Sequence, residues 1–340
     1  MYFKTSIEPY TLHFKKPAGT SRGVYNVHKV WFVRIYTPDA PDHFGIGECA
    51  PLTDLSCDDL PDYEDILQKA CKSLEKSGTI DYKALRPYPS ILFGLETAMR
   101  HYKSGSYALW NTPFSRGEKG IPINGLIWMG EYQQMAEQIE EKIRQGFKCI
   151  KLKIGAINFE EELNLLRRIR LQYPPEKLTL RVDANGAFSV KDAMDKLIRL
   201  AELGLHSIEQ PIRAGQWQEM AGLTASTPLP IALDEELIGC NSYNDKCALL
   251  QTIKPQYIIL KPSLHGGLMG CTEWIEVADD LNIGWWITSA LESNIGLNAI
   301  AQWCATMESP MHQGLGTGLL YTNNIDMPLR IEGEHLWFKI

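Results

Sequence analysis

No stretch of this chain is long and apolar enough to span a bilayer, which needs about 20 consecutive apolar residues. The start, MYFKTSIEPYTLHF, alternates like a strand and lacks the apolar core of a secretory leader. Positive charge is scarce too. Lys and Arg number 34 against 41 Asp and Glu, giving a net charge of -7 and a pI near 5.7. That balance speaks against nucleic acid or a membrane surface as partner. Small molecules are the expected ligands, with a cation to offset any clustered carboxylates. The eight cysteines, at 49, 57, 71, 149, 240, 247, 271 and 304, include no C-x-x-C pair. Reduced thiols packed as small hydrophobes, and hence a cytoplasmic location, are the expectation. A glycine-rich phosphate loop of the GxGxxG or Walker type is also missing, which counts against a dinucleotide fold.

What is present is a soluble-protein composition, 44% hydrophobic and 22% charged over 340 residues. That is enough chain for one large domain and one small one. Residues 2 to 11, 27 to 37 and 43 to 50 read as strands, the last two joined by the turn PDAPD. KKPAGTSRGVY, between the first two, reads as a mobile loop, and GECAPLTDLS, at 47 to 56, as a second loop. Two amphipathic helices follow, one stopped by Gly78 and one running from Pro89 to Gly105. Strands followed by helices indicate a small α+β unit. From residue 121 the order changes. IPINGLIWM, KCIKLKIG, KLTLRVDANG, LHSIEQP, PIALDEE, QYIILKPS, GWWITSA and the weaker MHQGLGTG alternate with helical patterns, although the helical reading of 214 to 224 is poor. Eight such repeats fit a TIM-type barrel, with a doubly wound open sheet as the rival. The expected layout is a cap over 1–118, a barrel over 119–318 and a tail, 319–340, returning to the cap.

The barrel is favoured because polar residues end six segments in succession: Lys153, Asp183, Glu209, Asp234, Lys261 and Ser289. In a barrel these tips ring one mouth. Lys151 and Lys153 sit two apart in an apolar strand, so both ammonium groups point one way and need anions to answer them. Asp183, Glu209 and Asp234 supply those anions at gaps of 26 and 25 residues, one β–α repeat each. A single acid of this kind is ordinarily a helix cap or loop residue; three at successive tips form an all-oxygen pocket suited to Mg²⁺, with Mn²⁺ as a substitute. Asn185 and Glu235 are expected to hold these ligands or the lysines. Lys151 and the metal would push Lys153 down towards a usable base. A divalent ion with a lysine on each flank suits proton removal beside a substrate carboxylate. Ser289 and Ser293 stand before a helix whose N–H groups could take a second substrate anion, an ordinary N-cap being equally open.

KLKIG, DAN, IEQP, LDEE, a lone lysine after a buried strand and SALES, in this order, resemble the enolase superfamily, muconate-lactonising subgroup. The resemblance covers nearly the whole chain. It implies an α/β fold, a modified (β/α)7β TIM barrel with an α+β capping domain, and so one helix fewer than eight full repeats. It implies Asp183, Glu209 and Asp234 as Mg²⁺ ligands, Lys153 as base and Lys261 as the lysine on the opposite face. KPSLHGG, SALESNIGL and GLGTGLLYTNN resemble the branch that removes water from a cyclohexadiene carboxylate to leave an aromatic ring. The loops at 18–27 and 47–56 then correspond to segments closing over substrate, with Arg22 as a contact. An N-acylamino-acid racemase or dipeptide epimerase would use the same lysines. A D-x-D pair near the eighth strand, expected of dipeptide epimerases, is absent from GLGTGLLY. A scaffold that kept the fold and lost the chemistry is the third reading.

Overall fold

The alternating N-terminal segment forms three antiparallel strands, β1 (Lys4–Thr20), β2 (Gly23–Thr37) and β3 (Ala40–Cys49), paired in that order. The computed structural model describes residues 2–20, 23–128, 131–155 and 158–339. The segment 15–25, expected as a loop, continues the β1–β2 hairpin where it is described. Ala18 pairs with Tyr25 and Gly19 with Val24, past a register shift after His13. Backbone hydrogen bonds carry this arm, so its small and polar residues are no obstacle to strand structure.

Helices α1 (Tyr63–Ser77), α2 (Tyr82–Leu85) and α3 (Pro89–Ser104) complete the cap, with Gly78 and Gly105 ending the two long ones. Helix α3 is buried continuously from Pro89 to Met99. It lies directly on β3, where a Cβ added to Gly47 would come within 1.9 Å of the Gly94 carbonyl oxygen.

After the cap come β4 (Ile121–Pro122), β5 (Gly125–Ile127), α4 (Tyr132–Arg144), β6 (Cys149–Lys153), α5 (Phe159–Gln172), β7 (Thr179–Asp183) and α6 (Val190–Ala201). The series continues with β8 (Ser207–Glu209), α7 (Trp217–Ser226), β9 (Ile231–Leu233), α8 (Tyr243–Ile253), β10 (Tyr257–Leu260), α9 (Gly267–Asp280), β11 (Gly284–Ile287) and α10 (Asn294–Cys304). Strands β5 to β11 form one seven-stranded parallel sheet in chain order. The weak eighth segment contributes two residues. Gln313 N–H donates to Pro122 and its carbonyl accepts from Asn124, at 2.8 and 3.0 Å. Gly314 N–H donates to Ile287 at 2.7 Å, and Ser289 N–H donates back to Gly314 at 3.2 Å. Those bonds join both margins of the curled sheet. Among the described residues no helix follows this segment, so the barrel is of the (β/α)7β type. Helix α7, weakly patterned in the sequence, buries Met220, Leu223 and Thr224.

The tail divides its contacts. Tyr321 and Met327 pack with Leu12, Val30 and Phe32 of the cap. Strands β12 (Leu329–Glu332) and β13 (His335–Phe338) then pair with β4 beneath the barrel. Cap and barrel are also joined by two buried carboxylates. Glu48, on β3, accepts N–H bonds from Ser293 and Gly296 at the start of α10, both at 2.8 Å. Glu96, on α3, accepts from Leu268 and Met269 at the start of α9, at 2.6 and 3.1 Å. Burial pushes these carboxyls up to about 7 and about 8 respectively.

Candidate active site

The β-strand period of two sends Lys151 and Lys153 of β6 into the barrel together, and Asp183 and Glu209 lie in register beside Lys153 on β7 and β8. Lys153 Nζ donates to Asp183 Oδ2 at 3.0 Å and to Asn185 Oδ1 at 2.7 Å. Lys151 Nζ lies 2.9 Å from Asp183 Oδ2 and donates to Glu209. On the far side Lys261, which follows β10, donates to Asp234, which follows β9. Strands β6 and β10 are four apart in the sheet order, so Lys153 and Lys261 face each other across the mouth. Asn185 links the halves: its side-chain amide donates to Glu235 Oε1 at 2.8 Å, and its backbone N–H donates to Asp183 Oδ1 at 3.0 Å.

These groups are buried, so charge decides their behaviour. Burial opposes the charge on Lys151 and Lys261, yet the surrounding carboxylates outweigh it and hold both ammonium groups above their ordinary pKa. Burial likewise opposes ionisation of Asp183, and Lys151 and Lys153 overcome it, keeping that carboxyl well below the usual range. At Glu209 burial and the neighbouring Asp183 prevail and raise the carboxyl. Burial, then Asp234, pushes Glu235 up to about 7.

The tips are wound tightly. Asn185, Gln210 and Leu291 all have positive φ, at 44°, 39° and 66°, a region side-chain-bearing residues seldom adopt. Gln210 uses its position: its Oε1 accepts from Asp234 N and Glu236 N at 3.3 and 3.2 Å, fixing the tip of β9 against that of β8. Nothing in the periodicity of IEQP marks this glutamine as a brace.

Above the charged floor lies a cavity partly open to solvent, with Leu52, Leu55, Trp128 and Leu291 among its apolar lining. Ser289 lines it, its hydroxyl 2.5 Å from that of Thr317. Asn124 lines it too, its Oδ1 buried without a partner. Neither Asn124 nor Thr317 stood out in the sequence. Gly314 must be glycine, since a Cβ there would lie 2.4 Å from Thr288 Oγ1. Ser293 belongs elsewhere: it caps α10, accepting from Ile295 N at 3.1 Å, and the helix's N–H groups are given to Glu48. The anion at this helix start is thus the protein's own carboxylate, and Ser293 is not among the residues lining the cavity. Arg22 lies outside the described residues.

With this geometry in view, comparison with known proteins is direct. Residues 134–338 match the family model described as "Enolase C-terminal domain-like". The o-succinylbenzoate synthase of Desulfotalea psychrophila is 47% identical, over 95% of this chain and 95% of that one. The crystal structure of MenC from the same organism superposes with a TM-score of 0.86 at 42% identity, covering 99% of this chain and 100% of that chain. The chain belongs to the o-succinylbenzoate synthase family of the enolase superfamily. It is a lyase family, and its fold is shared more widely. The dipeptide epimerase of Enterococcus faecalis, complexed with Mg and a dipeptide, superposes with a TM-score of 0.84 at 18% identity, covering 100% of this chain and 97% of that one.

The residues fit a divalent cation by their donor chemistry. Glu209 Oε1, Asp234 Oδ1 and Glu235 Oε2 are all buried without a hydrogen-bond partner. Three buried, unsatisfied carboxylate oxygens at the neighbouring tips of β8 and β9 are hard donors short of positive charge. As they stand, with the ammonium of Lys151 reaching Asp183 and Glu209 and that of Lys261 reaching Asp234, no three acidic, imidazole or thiol side chains among the described residues are gathered closely enough to hold a metal.

Proposed function

We propose that the chain carries out its family's reaction, loss of water from 2-succinyl-6-hydroxy-2,4-cyclohexadiene-1-carboxylate to give 2-succinylbenzoate, a step of menaquinone biosynthesis. Lys153 is the base and Lys261 the facing cation. The observation that carries this reading is the pair of lysines on β6 and β10, facing one another across a single cavity with the acids of β7 to β9 between them. Asp183, Glu209 and Asp234 would hold Mg²⁺, which when bound supplies positive charge beside the substrate carboxylate, where negative charge gathers as the proton leaves. Asn185 holds the Lys153 amine towards the cavity. That amine takes the proton from the ring carbon bearing the carboxylate. It then returns the proton to the departing hydroxide, so one water leaves and an aromatic ring remains. Lys261 keeps its proton and faces the growing charge. Ser289, Thr317 and Asn124 offer neutral hydrogen bonds to the oxygen atoms of the succinyl group.

Incubating the protein with the cyclohexadiene substrate and Mg²⁺, and following the aromatic product by its absorbance, tests this directly. Absence of product with metal bound would sink it. A racemase of N-acylated amino acids would use the same lysines, one per face. Loss of α-deuterium label from such a substrate, with no dehydration of the cyclohexadiene, would favour that instead.

A further inference from the structure

Leu291 occupies a conformation that its side chain opposes. At φ 66° its Cβ crowds the backbone, and glycine is the usual occupant of that region. The leucine nevertheless lines the cavity and packs with Leu52, Leu264 and Ala290. Such a conformation persists only where surrounding groups over-determine it. Here two side chains from distant parts of the chain converge on the Leu291 carbonyl. The Tyr321 hydroxyl donates to it at 2.5 Å, and His28 Nδ1 lies 2.9 Å away. Tyr321 belongs to the segment after the barrel and His28 to β2 of the cap; both are buried. The second ring nitrogen of His28 lies 3.3 Å from the carbonyl of Pro51, which begins the loop carrying Leu52 and Leu55. One imidazole thus stands between the two backbone segments that supply the cavity's leucines.

We propose that Tyr321 and His28 are positioning residues for the carbon-rich part of the substrate. By holding the Leu291 carbonyl they keep this turn left-handed and so set Leu291, with Leu52 and Leu55, as a preformed apolar wall. The inference rests on the synthase reading above. A return to negative φ redirects the Cα–Cβ bond, so the wall exists only while the carbonyl is held. The wall accepts ring carbons and methylenes. A ligand with an ammonium at the same place would leave its charge unpaired against three leucines.

Tyr321→Phe deletes one hydroxyl and keeps the ring, which packs 4.5 Å from Phe14. We expect KM for the cyclohexadiene substrate to rise about fivefold with kcat changed less than about twofold. A crystal structure of the variant should show Leu291 outside the left-handed region. Leu291→Gly accepts positive φ but lacks the wall, so its KM should rise at least as much. Adding Tyr321→Phe to it should then change nothing more. Unchanged KM in Tyr321→Phe, an unchanged Leu291 φ in its crystal structure, or multiplied effects in the double variant each overturn the proposal. If Tyr321→Phe does not fold, His28→Gln is read in the same three ways. A parent protein that binds metal but shows no turnover removes the synthase reading alone, because the φ of Leu291 in the variant still reports on the clamp.

Discussion

At the scale of single residues, the proposed chemistry rests on two amines and a few acids whose neighbours fix their charge. Replacing Lys153 with alanine should lower kcat by about 10²–10⁴-fold, read as aromatic product formed at saturating Mg²⁺, with the thermal midpoint little changed. Asp234→Asn should weaken Mg²⁺ binding at least about tenfold by calorimetry and leave the cap intact. These positions were legible in the sequence because they repeat: a lysine pair, then acids at gaps of 26 and 25, sit at strand ends that must converge in any barrel. Ser293 shows where such reading stops. A serine before a helix looks the same whether its helix binds substrate or a partner side chain, and here that partner, Glu48, lies 245 positions away. Gln210 and Leu291 owe their roles to backbone conformation, which periodicity does not encode.

Among the elements, those with a strong pattern read well. The starts of α5 and α6 carry polar caps: Asn158 accepts from Glu160 N, and Ser189 accepts from Asp192 N. Helix α7 was faint because it buries only one narrow side. The β1–β2 arm was read as a loop because its pairing is a property of two backbones and leaves little trace in side chains. Helix α9 offers a test of its own. Its cap, Glu96, has its carboxyl raised from 4.5 to about 8 by burial. The folded form thus holds a proton between those values that the unfolded chain has lost. Glu96 therefore contributes stability that is full below about pH 4.5 and declines as pH rises through about 8, by at most roughly 1.4 kcal/mol per pH unit. Denaturation at a series of pH values from 5 to 9 should show this decline in the parent and a flatter profile in Glu96→Gln.

For the molecule as a whole, closure and charge matter most. Gly314→Ala forces a Cβ into Thr288 at the seam where the sheet meets itself. It should cost about 1–3 kcal/mol, seen as a lower thermal midpoint. Magnesium should raise the midpoint and EDTA reverse the gain, since a ligand of the folded state stabilises it by mass action. Only two residues of the eighth strand complete the ring, which is why that segment was the faintest of the eight in the sequence. The two carboxylates that reach down from Glu48 and Glu96 bear on modularity. A barrel excised from its lid would present two bare amide clusters at consecutive helices, and a recombinant pairing of lid and barrel from unrelated parents would have to restore both acids at once. Exchange of either half is thereby constrained at side chains that do not themselves line the cavity, and any chimera should be screened first for those two glutamates.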